Sequence, residues 1–130
     1  PFDPVEFDGR QIVIGQGNNA YIFPGIGLGV IVSEAREVTD SMFAVAAASL
    51  AQEVSPADLA SGSLFPPIDQ LRSVTAKIAA AVAREARELG LAGRVLKDTE
   101  LDQAVTAAMW EPKYLPMDAV ASGAAVAGAR

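Results

Sequence analysis

The sequence predicts a mainly α-helical fold with one short β-hairpin at its N-terminal end. Three observations carry that reading. Apolar residues between positions 68 and 89 recur at helical spacing, and alanine is concentrated in the second half. The opening stretch instead alternates apolar and polar residues around a single Asp-Gly pair. The 130 residues amount to one domain's worth of chain, and a domain of that size buries roughly two-thirds of its unfolded surface on folding.

Each element has a local cause. In "VEFDGRQIVIG" (Val5 to Gly15), Asp8-Gly9 suits a tight turn with positive φ, so a small hairpin is expected, and a two-stranded hairpin needs a neighbouring sheet. "PGIGLGVIVSEA" follows, apolar on nearly all sides. Pro24 fits the first turn of a helix running to about Glu34, which must be buried all round. Thr39 is a good N-cap, with Asp40 in the first turn and Met42, Phe43, Val45, Ala46 and Leu50 as the apolar positions behind it. Ser55-Pro56 opens a short helical turn, Ala57 to Ala60, ended by Gly62. Tandem Pro66-Pro67 leads into the longest helix, where Ile68, Leu71, Val74, Ile78, Val82 and Leu89 form one face. Arg72, Lys77, Arg84, Glu85, Arg87 and Glu88 form its solvated side, and Gly90 is a good residue just past the end. A last helix is expected from about Asp98 to Met109, with Leu101, Val105, Ala108 and Met109 as its stripe, broken at Pro112. The tail "AVASGAAVAGAR" holds small residues only and is expected to be mobile or loosely helical.

Composition narrows the chemistry. Hydrophobic residues make up 51% and charged residues 20%, a globular balance, and the net charge of −6 comes without any basic cluster. Nucleic acid is therefore not an expected partner. There is no Cys, so no disulfide, thiolate nucleophile or zinc-thiolate site, and no His, the commonest general base and transition-metal ligand. No signal peptide and no apolar run of transmembrane length is present, so no membrane partner and a cytoplasmic location are expected. The chain starts at Pro1 without Met, as expected of either a processed start or a piece of a longer protein.

"GQGNNAYIFPGIGLG" (Gly15 to Gly29) draws the chemical question. Gly25, Gly27 and Gly29 give G-x-G-x-G, but Val30 occupies the place of the third glycine of a dinucleotide fingerprint, and the glycines fall inside the expected helix. They read as positions where another backbone comes close. Asn18-Asn19, flanked by Gly15 and Gly17, fit a loop at a helix N-terminus, whose amides suit a carboxylate or hydroxyl. They equally fit a cap and an Asx turn. The carboxylates Asp3, Glu6, Asp8, Glu34, Glu37, Asp40, Glu53, Asp58 and Asp69 are scattered singly, without metal-ligand spacing. Lys77 is expected to be exposed, and Tyr21, Trp110 and Tyr114 to pack. No catalytic acid, base or metal cluster emerges.

The stretch "GQGNNAYIFPGIGLGVIVSEAREVTDSMF" resembles the C-terminal part of malic enzymes, the oxidative decarboxylases that convert malate to pyruvate. The similarity continues through "PPIDQLRSVTAKIAAAVAREA" and "MWEPKYLPM", and takes in "PFDPVEFDGR" ahead of the core, so it covers about Pro1 to Met117. The resemblance implies a mainly α fragment of a larger α/β (Rossmann-type) enzyme. Residues 1–17 would end the nucleotide-binding region with the hairpin, 18–117 would form a helical C-terminal segment, and 118–130 the tail. It implies NAD or NADP as cofactor, Mg2+ or Mn2+ bound by the intact enzyme through ligands outside this chain, and malate or pyruvate held partly by Asn18 and Asn19. Hydride would pass from C2 of malate to NAD(P)+, after which the ion polarises the oxaloacetate-like product for loss of CO2. The family's catalytic tyrosine and lysine, substrate arginine and metal ligands match nothing here, so no catalytic residue is expected in this chain and it should be inactive alone. The remainder of the same polypeptide and further copies in a homo-oligomer are the implied partners. Two other readings differ in class: a free-standing helical module dimerising through the glycine-packed helix, and a small-anion binding domain using Gly15 to Asn19.

Overall fold

The computed structural model describes residues 2–111. Two strands, β1 (Val5–Phe7) and β2 (Arg10–Ile12), precede five helices: α1 (Phe23–Ser33), α2 (Asp40–Gln52), α3 (Pro56–Ala60), α4 (Leu71–Glu88) and α5 (Asp98–Ala108). Short 3-10 turns at Asn19–Tyr21 and Ile68–Gln70 lead into α1 and α4. The described residues are thus mainly helical with a single antiparallel hairpin. The expected Pro112 break, Tyr114 and the small-residue tail lie outside the described residues.

The hairpin pairs Val5 with Ile12, Glu6 with Gln11 and Phe7 with Arg10. Asp8 (φ 50°) and Gly9 (φ 70°) both take the positive φ that a primed turn demands, which matches the twist of the strands. Only Ile12 of the paired residues is withdrawn from solvent. The end of β2 is fastened to the turn after α3, where the Val13 N–H donates to the Ser61 carbonyl at 2.9 Å. Gly62 sits at φ 88° so close to Ile12 that a Cβ there would lie 2.7 Å from Ile12 Cγ2.

Helix α4 is the centre of the molecule. Val74, Ile78, Val82 and Ala86, each four residues on, are buried against Ile26 of α1 and Met42 and Ala46 of α2. Its adjoining face carries Ala79 and Ala80 against Val32 of α1 and Val105 of α5. The stripe therefore differs from expectation at both ends. Ile68 lies in the 3-10 turn before the helix and Leu89 at its C-cap, and both are exposed. Ala86 completes the stripe because it is the last position still on the helical repeat. Gly90 (φ 68°) then turns the chain away.

Gly25 and Gly29 of α1 act as spacers, as expected, whereas Gly27 does not. A Cβ on Gly25 would fall 2.5 Å from Ile78 Cγ2, and one on Gly29 would fall 2.7 Å from both the Ala79 carbonyl oxygen and Val82 Cβ. Gly27, between them, faces nothing within 4 Å. The outer face of α1 is not covered by the described residues, since Phe23 and Ile31 are exposed; burial all round does not hold here. Pro24 occupies the first turn, and α1 ends at Glu34 in the left-handed region (φ 51°, ψ 40°).

The other helices start where the sequence signals them. Thr39 caps α2 and Ser55 caps α3, each side chain accepting a backbone N–H of the first turn. At the start of α5, the Glu100 carboxylate accepts from the Lys97 N–H at 3.0 Å. Arg84 (3.2 Å) and Arg87 (3.0 Å) of α4 converge on Asp98 Oδ1, joining the two helices. Trp110 is a correction: at 76% exposure it does not pack among the described residues. Met109 already leaves the helix with extended geometry, so Trp110 no longer follows the buried stripe of Leu101 and Val105. No helix of the described residues is long and apolar enough to cross a membrane.

Candidate functional site

The site begins with the segment from Val13 to Asn18, which has no regular structure and runs across the loop joining α3 to α4. Glycine allows that close passage. A Cβ on Gly15 would meet Ser63 Oγ at 3.6 Å, and one on Gly17 would press on the Phe65 ring at 3.3 Å. Tyr21, in the 3-10 turn, stacks on Phe65 with ring centroids 5.4 Å apart and planes at 26°. Its hydroxyl donates to the Pro66 carbonyl at 2.8 Å, in a buried bond.

On this support stand the two asparagines. Asn18 has extended backbone geometry (φ −147°, ψ 143°) and caps the 3-10 turn, its Oδ1 accepting the Ala20 N–H at 2.8 Å. Because the donor is a backbone N–H, the amide's oxygen must face the turn, which leaves its NH2 with both donors available. The main-chain oxygens of Asn18 and Asn19 accept from Tyr21 and Ile22, so the turn runs directly into α1. Both residues are exposed. Among the described residues the Asn19 side chain has no hydrogen-bond partner. The pair therefore presents uncharged donors beside a helix start, an arrangement able to hold a carboxylate or hydroxyl oxygen.

Beside the loop is a cavity of about 320 Å³, bounded by Gly15, Gln16, Tyr21, Asp58, Ser63 and Phe65. Position 58 and the 61–67 loop escape sequence reasoning, because they reach the site only through the fold. Tandem proline was their one local signal. A larger, mainly apolar groove of about 520 Å³ runs between Pro24, Leu28, Leu71, Thr75, Met109 and Trp110, and neither asparagine lines either cavity.

The remaining candidates have structural duties. Lys77 is exposed and ion-paired with Glu53 at 2.6 Å, which suits a solvated helix face. The Tyr21 hydroxyl is committed to Pro66. Asp98 is held below the usual carboxylate range, first by its hydrogen bond from Arg84 and then by that from Arg87, far from the asparagines in sequence and on another helix. Among the described residues no three His, Cys, Asp or Glu side chains are grouped to hold a metal ion.

Comparison with known proteins gives the chain's family. Residues 1–87 match the family profile described as "Malic enzyme, NAD binding domain". Over 114 residues, 88% of this chain, it is 46% identical to the "NADP-dependent malic enzyme, chloroplastic" of Oryza sativa subsp. japonica and covers 18% of that protein. It shows the same identity over the same span with the "NADP-dependent malic enzyme" of Populus trichocarpa, covering 19% of it. The "NADP-dependent malic enzyme 4, chloroplastic" of Arabidopsis thaliana gives 46% as well, with 18% of its length covered. The chain thus spans about a fifth of the length of the curated relatives it matches. With two-thirds of its residues inside the family profile and nearly half identical to these relatives, the chain belongs to the malic enzyme family.

Proposed function

We propose that this chain works as the C-terminal part of a malic enzyme that oxidatively decarboxylates (S)-malate to pyruvate and CO2 with reduction of NAD(P)+. Its share is one wall of the substrate site, built by Asn18 and Asn19. The observation that carries the reading is the exposed amide pair, Asn18 capping the turn and Tyr21 anchoring it to Pro66, within a chain of this family. NADP in the names of the plant relatives favours NADP as acceptor.

In the reaction, malate loses hydride from C2 and the hydroxyl proton, the 2-keto acid releases its C4 carboxyl as CO2, and the enol takes a proton at C3. The nicotinamide would supply hydride acceptance and Mg2+ or Mn2+ Lewis acidity at the keto oxygen. The described residues do not suit that ion, so no step through it is assigned to them. What this chain contributes is orientation. Amide N–H groups hold a carboxylate without changing the site's charge, and fixing the substrate's carboxylate fixes which face of C2 meets the acceptor. We further propose the larger Rossmann-type context, the division into 1–17, 18–117 and 118–130, a homo-oligomer and a cytoplasmic location. The alternative of a dimer formed through the glycine face of α1 loses its basis, because α4 of the same chain fills that face.

Two measurements test the proposal. The 130 residues alone, given malate, Mn2+ and NADP+, should produce no NADPH; turnover would refute the incompleteness of the chain. In the full-length enzyme, Asn18→Ala and Asn19→Ala should each cost about tenfold in kcat/KM for malate, the size of a lost hydrogen bond to a charged group. Unchanged kinetics in both variants would sink the substrate-wall role.

A further inference from the structure

Besides its continuity with α1, the asparagine turn is fastened to the loop before α4 through the side chain of Tyr21. Tyr21 belongs to the same 3-10 turn as Asn19, and its backbone N–H donates to the carbonyl of Asn18 at 3.1 Å. Any displacement of Tyr21 therefore moves both asparagines. Its ring lies on Phe65 and its hydroxyl reaches the Pro66 carbonyl, 45 residues away in sequence. Tyr21 is 6% exposed, and Pro66 is fully buried.

The acceptor end of this latch is unusually stiff. Proline fixes the φ of residue 66, and a following proline, Pro67, restricts residue 66 to extended ψ as well. Both soft dihedrals of Pro66 are thus set before folding, so its carbonyl points in one direction. The tandem proline, unexplained by helix initiation alone, acquires a purpose as a rigid acceptor. Phe65 has a second contact with the same segment, lying 3.3 Å from where a Cβ of Gly17 would be. One ring therefore supports the approach to the asparagines from both sides, at Gly17 and at Tyr21.

We infer that Tyr21, clamped between Phe65 and the Pro66 carbonyl, is a positioning residue that sets the placement of the Asn18–Asn19 amides and so the affinity for the substrate carboxylate. The inference rests on the proposed substrate role of those asparagines. Tyr21 touches no substrate; its hydroxyl is spent on Pro66. Removing the hydroxyl frees the turn to shift while leaving the ring stack, so substrate binding loosens before the fold does.

The test is a double-mutant cycle in the full-length enzyme, with malate KM and kcat measured separately. Tyr21→Phe should raise the malate KM roughly three- to tenfold, the usual range for coupled neighbours, with kcat little changed. Phe65→Leu, which removes the stack and keeps the hydroxyl, should move KM in the same direction, and Phe65→Tyr should restore it. In a background carrying both Asn18→Ala and Asn19→Ala the Tyr21→Phe effect should shrink to within twofold, because the groups it positions are gone. An equal KM loss in both backgrounds, or a loss of thermal stability with malate KM unchanged, overturns the positioning role while leaving the asparagine role standing. Asn19→Ala and Asn18→Ala without effect on malate kinetics overturn both.

Discussion

Glycine at position 29 should be worth more to stability than any helix-forming residue, and position 27 should show the reverse. Alanine is favoured over glycine in a helix interior by about 1 kcal/mol. At Gly27 nothing stands within 4 Å of the added Cβ, so Gly27→Ala should deliver most of that gain. At Gly29 the Cβ would be 2.7 Å from the Ala79 carbonyl oxygen, where ordinary contact begins at 3.4 Å, so α1 and α4 must separate by 3.4 − 2.7 = 0.7 Å. The obstacle is backbone in the middle of α4 and cannot rotate aside. Overpacking of that kind costs typically about 1–3 kcal/mol, and the upper half applies when no side chain can yield. Gly29→Ala should therefore be destabilised by about 1–2 kcal/mol net, and the two variants should differ by about 2–3 kcal/mol. Urea unfolding followed by circular dichroism measures the difference directly, provided the dependence on urea is the same for both. Equal stability of the two variants, or a stabilised Gly29→Ala, would refute close helix approach as the reason for these glycines.

Three further outcomes follow from local geometry. Glu34→Gly should stabilise the chain by about 1 kcal/mol in the same urea assay, because a non-glycine residue holds the left-handed conformation (φ 51°) at the end of α1. Replacing Asp98 by Asn should weaken the α4–α5 junction at neutral pH. Its carboxyl is depressed in the folded state below the ordinary 3.8, so its contribution is present above that value and is lost as pH falls through the folded one. The stability gap between wild type and Asp98→Asn should therefore close on acidification below about pH 4, and should narrow with added salt because the cluster is exposed; a gap independent of pH would discard the ion-pair account. Lys77→Met should change malate kinetics little, since its ammonium is spent on an exposed pair with Glu53; a large loss of kcat would refute the purely structural reading of Lys77.

The fold was legible where local chemistry and tertiary packing agree. Asp8-Gly9 announces the hairpin because a primed turn needs positive φ twice, and the caps Thr39 and Ser55 announce α2 and α3 because a free backbone N–H needs a partner. Val74, Ile78 and Val82 announce the buried face of α4. Periodicity fails at helix ends, where Leu89 keeps the right spacing after the helix has stopped and alanine at position 86 takes the core position. Trp110 fails for a related reason: residue type suggested burial, yet the chain had already left the helix that would have carried it inward. Of the site, the asparagine turn was readable and its support was not. Phe65 and Pro66 join it across 45 residues, and no short-range pattern encodes a contact of that kind.

The geometry shows Asn18 as a cap, and makes that duty compatible with the proposed holding of a ligand. Capping uses only Oδ1, which accepts the Ala20 N–H at 2.8 Å. The NH2 group is then forced outward, so the cap aims the donors rather than consuming them. Asn18→Asp separates the two duties. Aspartate keeps the acceptor and remains an excellent cap, so thermal stability should be unchanged or slightly raised. It has no donor and brings a negative charge to the place proposed for the substrate's carboxylate, so malate KM in the full-length enzyme should rise further than in Asn18→Ala, which loses the donor without adding charge. Asn18→Ala, in turn, should lose stability by about 0.5–1 kcal/mol through the missing cap. Opposite orders of the two variants in stability and in malate binding are the signature of one amide doing both; the same order in both measurements would mean that Asn18 is a cap and nothing more.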